Sequence, residues 1–371
     1  MLNSPQPYFD DLTDPRRETR NKLHSLQDIV MITLCATLCG YDDWVSIVDF
    51  ADENEAWFRQ FLPLTNGIPS HDTLSKVMGR IDRTAFSTAL AAWIQDSLPT
   101  LDPRHIALDG KTLRGSRQNG KAIHLMSAFA AQARLVLAQH EVDGKGNEIT
   151  ALPELMKQID LRGAVVSIDA MGCQKEVAAQ LVKGKADYVL ALKQNHPNLY
   201  EDVRLWLDDQ SRNARLPTLE TIEKDHGRLE IRRYSLSAEL GWLAGRGDWA
   251  GLKAVGRVES VREVKGKASS TEVRYFLCSI TDLEQFASVV RGHWSIENQQ
   301  HWVLDVEFSE DGNRSRKDYS ASNLAAIRRA ALNLIRQNDD SKLSIGRRRM
   351  RANNNLDYRA QLMFGVPAAT R

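Results

Sequence analysis

The period of the apolar positions changes along the chain, and each change marks a structural boundary. Over residues 26–39 apolar side chains (Leu26, Ile29, Val30, Ile32, Leu34, Ala36, Leu38) fill nearly every turn, which predicts a buried helix with Gly40 as its stop. Residues 43–62 repeat the helical pattern through Trp44, Ile47, Val48, Phe50, Ala51, Trp57, Phe58 and Phe61. Pro63 to Pro69 reads as a loop, and Ser70-His71-Asp72-Thr73 as a helix start with Ser70 or Asp72 as cap. A further helix runs from about Thr84 to Leu98. Residues 1 to about 20 are Pro- and Asp-rich and read as irregular. The first hundred residues are therefore an all-helical unit that ends at Pro99–Pro103.

From Arg104 the texture becomes that of strands. Apolar runs of strand length recur at 105–109, 123–130, 134–142, 164–168 and 187–192. A helix carrying Leu152, Leu155, Met156 and Ile159, and another near 174–183, lie between them. Such alternation predicts a mixed α/β domain. Asp143-Gly144-Lys145-Gly146-Asn147 is a turn signal. Within 220–281, residues 230–236 and 254–261 alternate and 271–280 form a third run, which predicts a β-rich insertion. Helices resume at 283–304 and 320–337. The expected organisation is a helical unit over 1–100, a first part of an α/β core over 101–219, the β-rich insertion over 220–281, a helical completion of the core over 282–340 and a basic tail over 341–371.

Composition narrows the function classes only modestly. A 371-residue chain with 42% hydrophobic residues can bury an ordinary core. It has no run of 18 uncharged apolar residues, so no membrane span is expected, and no signal peptide is read at Met1–Pro5; a cytoplasmic location is the default expectation. Cys35, Cys39, Cys173 and Cys278 form no Cys-x-x-Cys pair, so no zinc site or disulfide framework is read. The net charge of +1 is low for a nucleic-acid binder, but Lys342, Arg347, Arg348, Arg349 and Arg351 cluster without an acid, a run that either tracks phosphates or is a solvated tail. There is no Gly-rich phosphate cradle and no nucleophile elbow, which disfavours a small-molecule enzyme.

Three acids carry the candidate chemistry. Asp109 ends the run Ile106-Ala107-Leu108, Asp169 ends Val165-Val166-Ser167-Ile168, and Glu297 lies in the helical stretch His293-Trp294-Ser295-Ile296-Glu297-Asn298. A carboxylate buried at a strand end without a partner costs several kcal/mol. A hard divalent cation is a partner that tolerates three of them. Taken singly, each has a plainer reading: a strand-Asp-Gly turn for Asp109, a helix N-cap for Asp169, a helix face for Glu297. His293, Glu297 and His301 follow one another at intervals of four, but the spacing is not His-Glu-x-x-His and no further zinc ligand is evident.

Taken in order, these segments resemble the bacterial insertion-sequence transposases with a DDE catalytic triad, and among them the H-repeat-associated family. The resemblance covers nearly the whole chain. It rests on Phe9-Asp10-Asp11-Leu12 with Asp14-Pro15-Arg16, on Gly67–Thr73, on Ala107-Leu108-Asp109-Gly110-Lys111, on Ile168–Gln174, on Asp187–Asn195, on Arg291–Asn298, on His301–Val306 and on Phe308–Asp311. It implies a ribonuclease-H-like mixed sheet with flanking helices, with Asp109, Asp169 and Glu297 as catalytic residues and as ligands of Mg²⁺, or of Mn²⁺ in its place. The implied activity is strand cleavage and strand transfer at element ends, by a homodimer on double-stranded DNA that carries terminal repeats and target. The alternatives are an inactive relic that only binds DNA and a stand-alone metal nuclease. A Tyr-x2-Arg-x3-Glu-x6-Lys signature found in many relatives is absent, its positions being held by Val290, His293 and Leu304. Expected DNA contacts are Lys193, Gln194, Asn195, Arg291, His293, His301, Arg347, Arg348 and Arg349, with Arg16, Arg17, Arg20 and Lys22 as phosphate contacts of the helical unit.

Overall fold

The computed structural model describes residues 2–20, 22–97, 105–142, 148–209, 211, 214–225, 228–264, 268–339 and 341–365. The turn signal at 143–147 and the Pro99–Pro103 boundary lie outside the described residues. The chain is a mixed α/β protein organised on one nine-stranded sheet with helices on its faces and a helical layer at one end.

The helical layer contains α1 (Gln6–Phe9), α2 (Leu26–Cys39), α3 (Trp44–Glu53), α4 (Glu55–Phe58), α5 (His71–Arg80) and α6 (Arg83–Ser97). Local chemistry sets their ends. The Ser25 side chain accepts the Asp28 N–H to start α2, and Gly40 takes φ +112° to stop it, a left-handed conformation that glycine adopts without a Cβ clash. Of the two cap candidates for α5, Ser70 serves, accepting the Thr73 N–H. Helix α2 is buried on every side, which explains its unbroken apolar run.

The sheet consists of β1 (His105–Gln118), β2 (Lys121–Ala130), β3 (Leu135–Val142), β4 (Val165–Ile168), β5 (Asp187–Leu192), β6 (Thr218–Asp225), β7 (Arg228–Ser237), β8 (Ala254–Val264) and β9 (Ser270–Cys278), in the order β3-β2-β1-β4-β5-β9-β8-β7-β6. Strands β1, β4 and β5 are parallel, and the other neighbours are antiparallel. Helices α7 (Glu148–Met156), α8 (Lys175–Lys183) and α9 (Pro197–Asp208) contribute to the core on one face with Ile106, Leu108, Val166, Ile168 and Leu190. Helix α10 (Leu283–Ser295) packs on the other face against β1, β4 and β5. It runs into a π-helical segment, Ile296–His301, and then α11 (Trp302–Glu307). Helices α12 (Ser320–Gln337), α13 (Ile345–Asn354) and α14 (Leu356–Phe364) complete the chain.

Three features depart from the sequence reading. The β-rich segment pairs directly onto β5 through β9, with Val189 opposite Cys278 and Leu192 opposite Tyr275, so it extends the central sheet. Residues 341–364 are not a tail: α13 and α14 pack into the core of the N-terminal helices. That shared core also takes Val303, Leu304, Phe308 and α12 from Ala326 to Ile335, so chain segments at opposite ends fold as one apolar unit. Helix α9, directly after Lys193–Asn195, is not among the elements read from the sequence, although Leu199, Val203 and Leu207 recur along it at helical spacing and pack on the core.

Candidate metal centre

The site begins with strand register. Leu108 of β1 lies beside Ile168 of the parallel strand β4, so the residues that follow, Asp109 and Asp169, emerge together at the same end of the sheet. Side chains alternate between the faces of a strand. His105, Ala107 and Asp109 therefore share one face, as do Ser167 and Asp169 on β4 and Val189, Ala191 and Lys193 at β5. This is the face that α10 covers.

The π-helical segment supplies the third acid. Ile296 is fully buried in a small cluster with Ala107, Phe129 and Val136, which anchors the segment on β1. Glu297, the next residue, is exposed above the sheet, while Gln300 and His301 turn back into the protein. A π turn inserts a residue into the helical repeat, yet His293 and Glu297 still line one cavity and Glu297 and His301 come within 4.8 Å of each other. Asp109, Asp169 and Glu297 line a single cavity of about 220 Å³, together with Ser167, Lys193, Arg274, His293 and Trp294.

The cavity is electrostatically uncomfortable without a cation. Burial pushes Asp109 up to about 7, and the neighbouring carboxylates of Asp169, Glu297 and Glu148 push in the same direction, against a hydrogen bond from the Gly110 N–H. Asp169 is also raised, first by burial and then by Glu148. Its Oδ1 accepts the N–H groups of Met171 and Gly172 at 3.1 and 3.4 Å, and the Lys193 charge opposes the rise. Oxygen atoms of Asp109 and Glu297 and a ring nitrogen of His301 lie within 4.8 Å of one another, a separation at which one ion could be shared. Asp169 lines the same cavity without joining that trio. Hard carboxylate oxygens with one imidazole suit a small divalent cation, and a positive charge would offset the burial and the neighbouring carboxylates that raise Asp109. The donor set therefore fits a divalent metal.

Several expected contacts are placed otherwise by the fold. His301 is 5% exposed with Nδ1 3.7 Å from Asp109 Oδ2, so it is buried beside the acid. Asn195 donates its amide to the Ala170 carbonyl at 2.7 Å and braces the loop after Asp169, while Lys193 and Gln194 are exposed. Arg291 forms a two-bond pair with Glu223 at 2.9 and 2.8 Å. Arg347 is exposed, but Arg348 and Arg349 point inward: Arg348 donates to the carbonyls of Leu343, Ile335 and Asp339, and Arg349 to that of Thr37, with its guanidinium 4.0 Å over the Phe308 ring. In the N-terminal arm Arg16 is held by Asp14 and the His24 carbonyl and Lys22 by Asp14, while Arg17 and Arg20 are exposed. Val290, on the buried face of α10, packs in the core beneath that helix and Leu304 in the helical core, so neither signature position offers a polar group.

Four site neighbours escaped the sequence reading. Glu148, at the start of α7, pairs with His124 of β2 at 2.7 Å and adds a negative charge near Asp109 and Asp169. Arg274 of β9 lines the cavity from the segment read as an insertion. His105 and Ser167 share the strand faces of Asp109 and Asp169, and the alternation of two could have found them. No local pattern marks Glu148 or Arg274.

The geometry agrees with sequence relationships. Residues 100–334 match the family described as Transposase DDE domain, and residues 7–94 match the one described as DDE_Tnp_1-associated. The chain belongs to the DDE transposases, and its relatives place it with the H-repeat-associated group. It is 37% identical over 95% of its length, and 92% of the relative's, to an Escherichia coli O157:H7 protein named "Putative transposase YncI". It is 34% identical over 94% of its length, and 95% of the relative's, to "H repeat-associated putative transposase YhhI" of Escherichia coli K12. A Xanthobacter autotrophicus relative, "Uncharacterized protein in dhlA 3'region", is 48% identical over 76% of this chain and 96% of its own.

Proposed function

We propose that this protein is a working insertion-sequence transposase that cleaves DNA strands at the ends of its element and transfers the freed 3′ ends to target DNA, using Mg²⁺ or Mn²⁺. The observation that carries the reading is that Asp109, Asp169 and Glu297, far apart in sequence, line one cavity at the end of parallel strands. The order β3-β2-β1-β4-β5, a three-stranded antiparallel meander continued by two strands parallel to β1, supports a ribonuclease-H-like core with the acids on β1, after β4 and on the π-helical segment after the covering helix.

Asp109, Asp169 and Glu297 would hold the cation, with His301 beside Asp109. Divalent metal bound there lowers the pKa of an attacking hydroxyl and offsets charge on the phosphate. The protein's own groups orient and confine. The N–H groups after Asp169 fix its carboxylate, Lys193 and Arg274 bring positive charge to the cavity wall, and Trp294 stands 42% exposed at its rim with Arg274 stacked 4.7 Å from the ring centroid. Ser167, the hydroxyl in the cavity lining, is engaged by two imidazoles, so no protein–DNA covalent link is assigned. Joining two element ends calls for a homodimer on double-stranded DNA, acting in the cytoplasm where the chromosome lies.

The test is Asp169→Asn. Mg²⁺-dependent nicking of element-end DNA should vanish while DNA binding persists; unchanged nicking would remove Asp169 from the site. A second reading, a relic that only binds DNA, draws on the apolar Val290 and Leu304 at signature positions. Cleavage assays of the wild type with Mn²⁺ separate the two. Nicking without joined products would instead indicate a stand-alone nuclease.

A further inference from the structure

We infer that His293 offers the cavity a neutral N–H donor from Nε2, its tautomer set by a buried proton-ordered relay, His105–Ser167–His293. The inference rests on reading the cavity as a DNA phosphate site, and it concerns how this chain contacts phosphate at the position where the Tyr-x2-Arg-x3-Glu-x6-Lys signature has its arginine.

The relay is a row of three side chains between the sheet and α10. His105 Nε2 lies 2.7 Å from Ser167 Oγ, and Ser167 Oγ lies 2.8 Å from His293 Nδ1. His105 and Ser167 are 2% and 3% exposed, so water does not compete for these bonds. A hydroxyl has one proton. Between two imidazole nitrogens it donates to one and accepts from the other, so the row has a direction.

The far side of His105 selects that direction. Its Nδ1 is buried without a hydrogen-bond partner among the described residues. It faces the backbone of Gly292, where an added Cβ would stand 2.6 Å from Nδ1. If the row ran from His293 to His105, this nitrogen would be a buried N–H with nothing to receive it, and orphaned buried N–H groups are rarer than under-satisfied acceptors. Running the other way, His105 Nε2–H donates to Ser167, Ser167 O–H donates to His293 Nδ1, and only a lone pair is left unmet. Both rings then take the Nε2–H form, which is also the intrinsically favoured form of a neutral histidine. Burial keeps both rings neutral, holding His105 near about 3 and His293 near about 4, the latter also opposed by the Arg274 charge.

With Nδ1 committed to Ser167, Nε2–H is the polar edge that His293 has left for the cavity it lines with Asp169 and Glu297. A neutral donor suits this wall. It binds a phosphate oxygen without competing electrostatically with a metal for the carboxylates, as a cation in its place would. His293 is then the group that touches substrate, and His105 and Ser167 position it.

Two measurements on the full chain test this. In protein labelled with ¹⁵N-histidine, the signal lost in His293→Gln should show a pyrrole-type Nε2 and a pyridine-type Nδ1 at neutral pH, and Ser167→Ala should let the two tautomers mix. A pyrrole-type Nδ1, whether as the other tautomer or as imidazolium, overturns the inference. In element-end DNA binding, His293→Ala should weaken affinity about tenfold, the share of one hydrogen bond to a charged acceptor. The slope of log affinity against log salt should not change, and His293→Gln should restore most of the loss through its side-chain N–H. A slope shallower by about one unit would mean a lost cation–phosphate contact and would sink the neutral donor. The resonance measurement needs no DNA, so a failed Asp169→Asn nicking test with the expected tautomer refutes the site assignment alone, and intact nicking with the wrong tautomer refutes the relay alone.

Discussion

His301 Nδ1 lies 3.7 Å from Asp109 Oδ2, and the two come from elements that meet only in the folded chain. Burial holds the imidazole down to about 3, helped by the charges of Arg329 and Lys111, so it stands neutral beside the acid as a metal ligand must. We expect His301→Ala to reduce Mn²⁺ affinity about 10- to 100-fold, the range seen when groups supporting a metal site are removed. Calorimetric titration of Mn²⁺ into both proteins measures this; equal affinities would exclude His301 from the centre.

The raised pKa of Asp109 implies that its charge is unwelcome without metal. Asp109→Asn should therefore make the metal-free protein more stable, by roughly 1–3 kcal/mol, while abolishing cleavage. Adding Mn²⁺ should raise the melting temperature of the wild type by several degrees and leave the variant where it was. Thermal melts with and without metal decide the point, and a variant that melts lower than the metal-free wild type would contradict it.

His105 and His293 predict acid lability. Their folded pKa values, about 3 and about 4, lie below the ordinary 6.5. The unfolded chain thus takes up protons before the native one does, and stability present above 6.5 is lost as pH falls toward those lower values. Each histidine should account for roughly 2 kcal/mol of loss by about pH 5. Urea denaturation at about pH 7.5 and about pH 5 measures the drop. His105→Asn should shrink it by about one histidine's share, and an unaltered pH dependence would refute the assignment.

Gly110 follows Asp109 at a point where a side chain has no room. A Cβ there would stand 2.4 Å from His124 Nε2 and 2.8 Å from Glu148 Oε1. Gly110→Ala must displace that pair, at a cost of about 1–3 kcal/mol. Since Glu148 presses electrostatically on both aspartates, nicking should fall by more than the lost stability explains. Activity measured well below the melting temperature checks this, and full activity would place the pair outside the working site.

The basic run near the C-terminus divides by direction. Arg349 is buried against Phe308 with Asp42 3.7 Å away, so Arg349→Ala should destabilise the fold by about 3 kcal/mol, with DNA affinity unchanged in the folded protein. Arg347→Ala should hardly alter stability but weaken DNA binding, with a salt slope lower by about one. Denaturation curves paired with binding isotherms distinguish the two.

Local chemistry made much of this protein legible from its sequence. The apolar run of α2, its Ser25 cap and Gly40 stop, the strand-length runs of β1 to β5 and the acids at their ends all arise from interactions within a few residues, so they can be read in order along the chain. The motifs around Asp109, Asp169 and Glu297 likewise pointed to the family. What the tertiary structure alone decided depends on contacts between distant segments. Register set Asp109 beside Asp169 because Leu108 pairs with Ile168. The packing of the π-helical segment on β1 brought Glu297 to the cavity and a ring nitrogen of His301 within 4.8 Å of it and of Asp109. Pairing of β9 with β5 turned an apparent insertion into more of the same sheet and delivered Arg274 to the site. Arg348 and Arg349 turn inward because carbonyls of Ile335 and Thr37 and the Phe308 ring, from other segments, receive them. Charge in a sequence says what a side chain can bind; only the packed neighbours determine whether its partner is phosphate, carboxylate or the protein's own backbone.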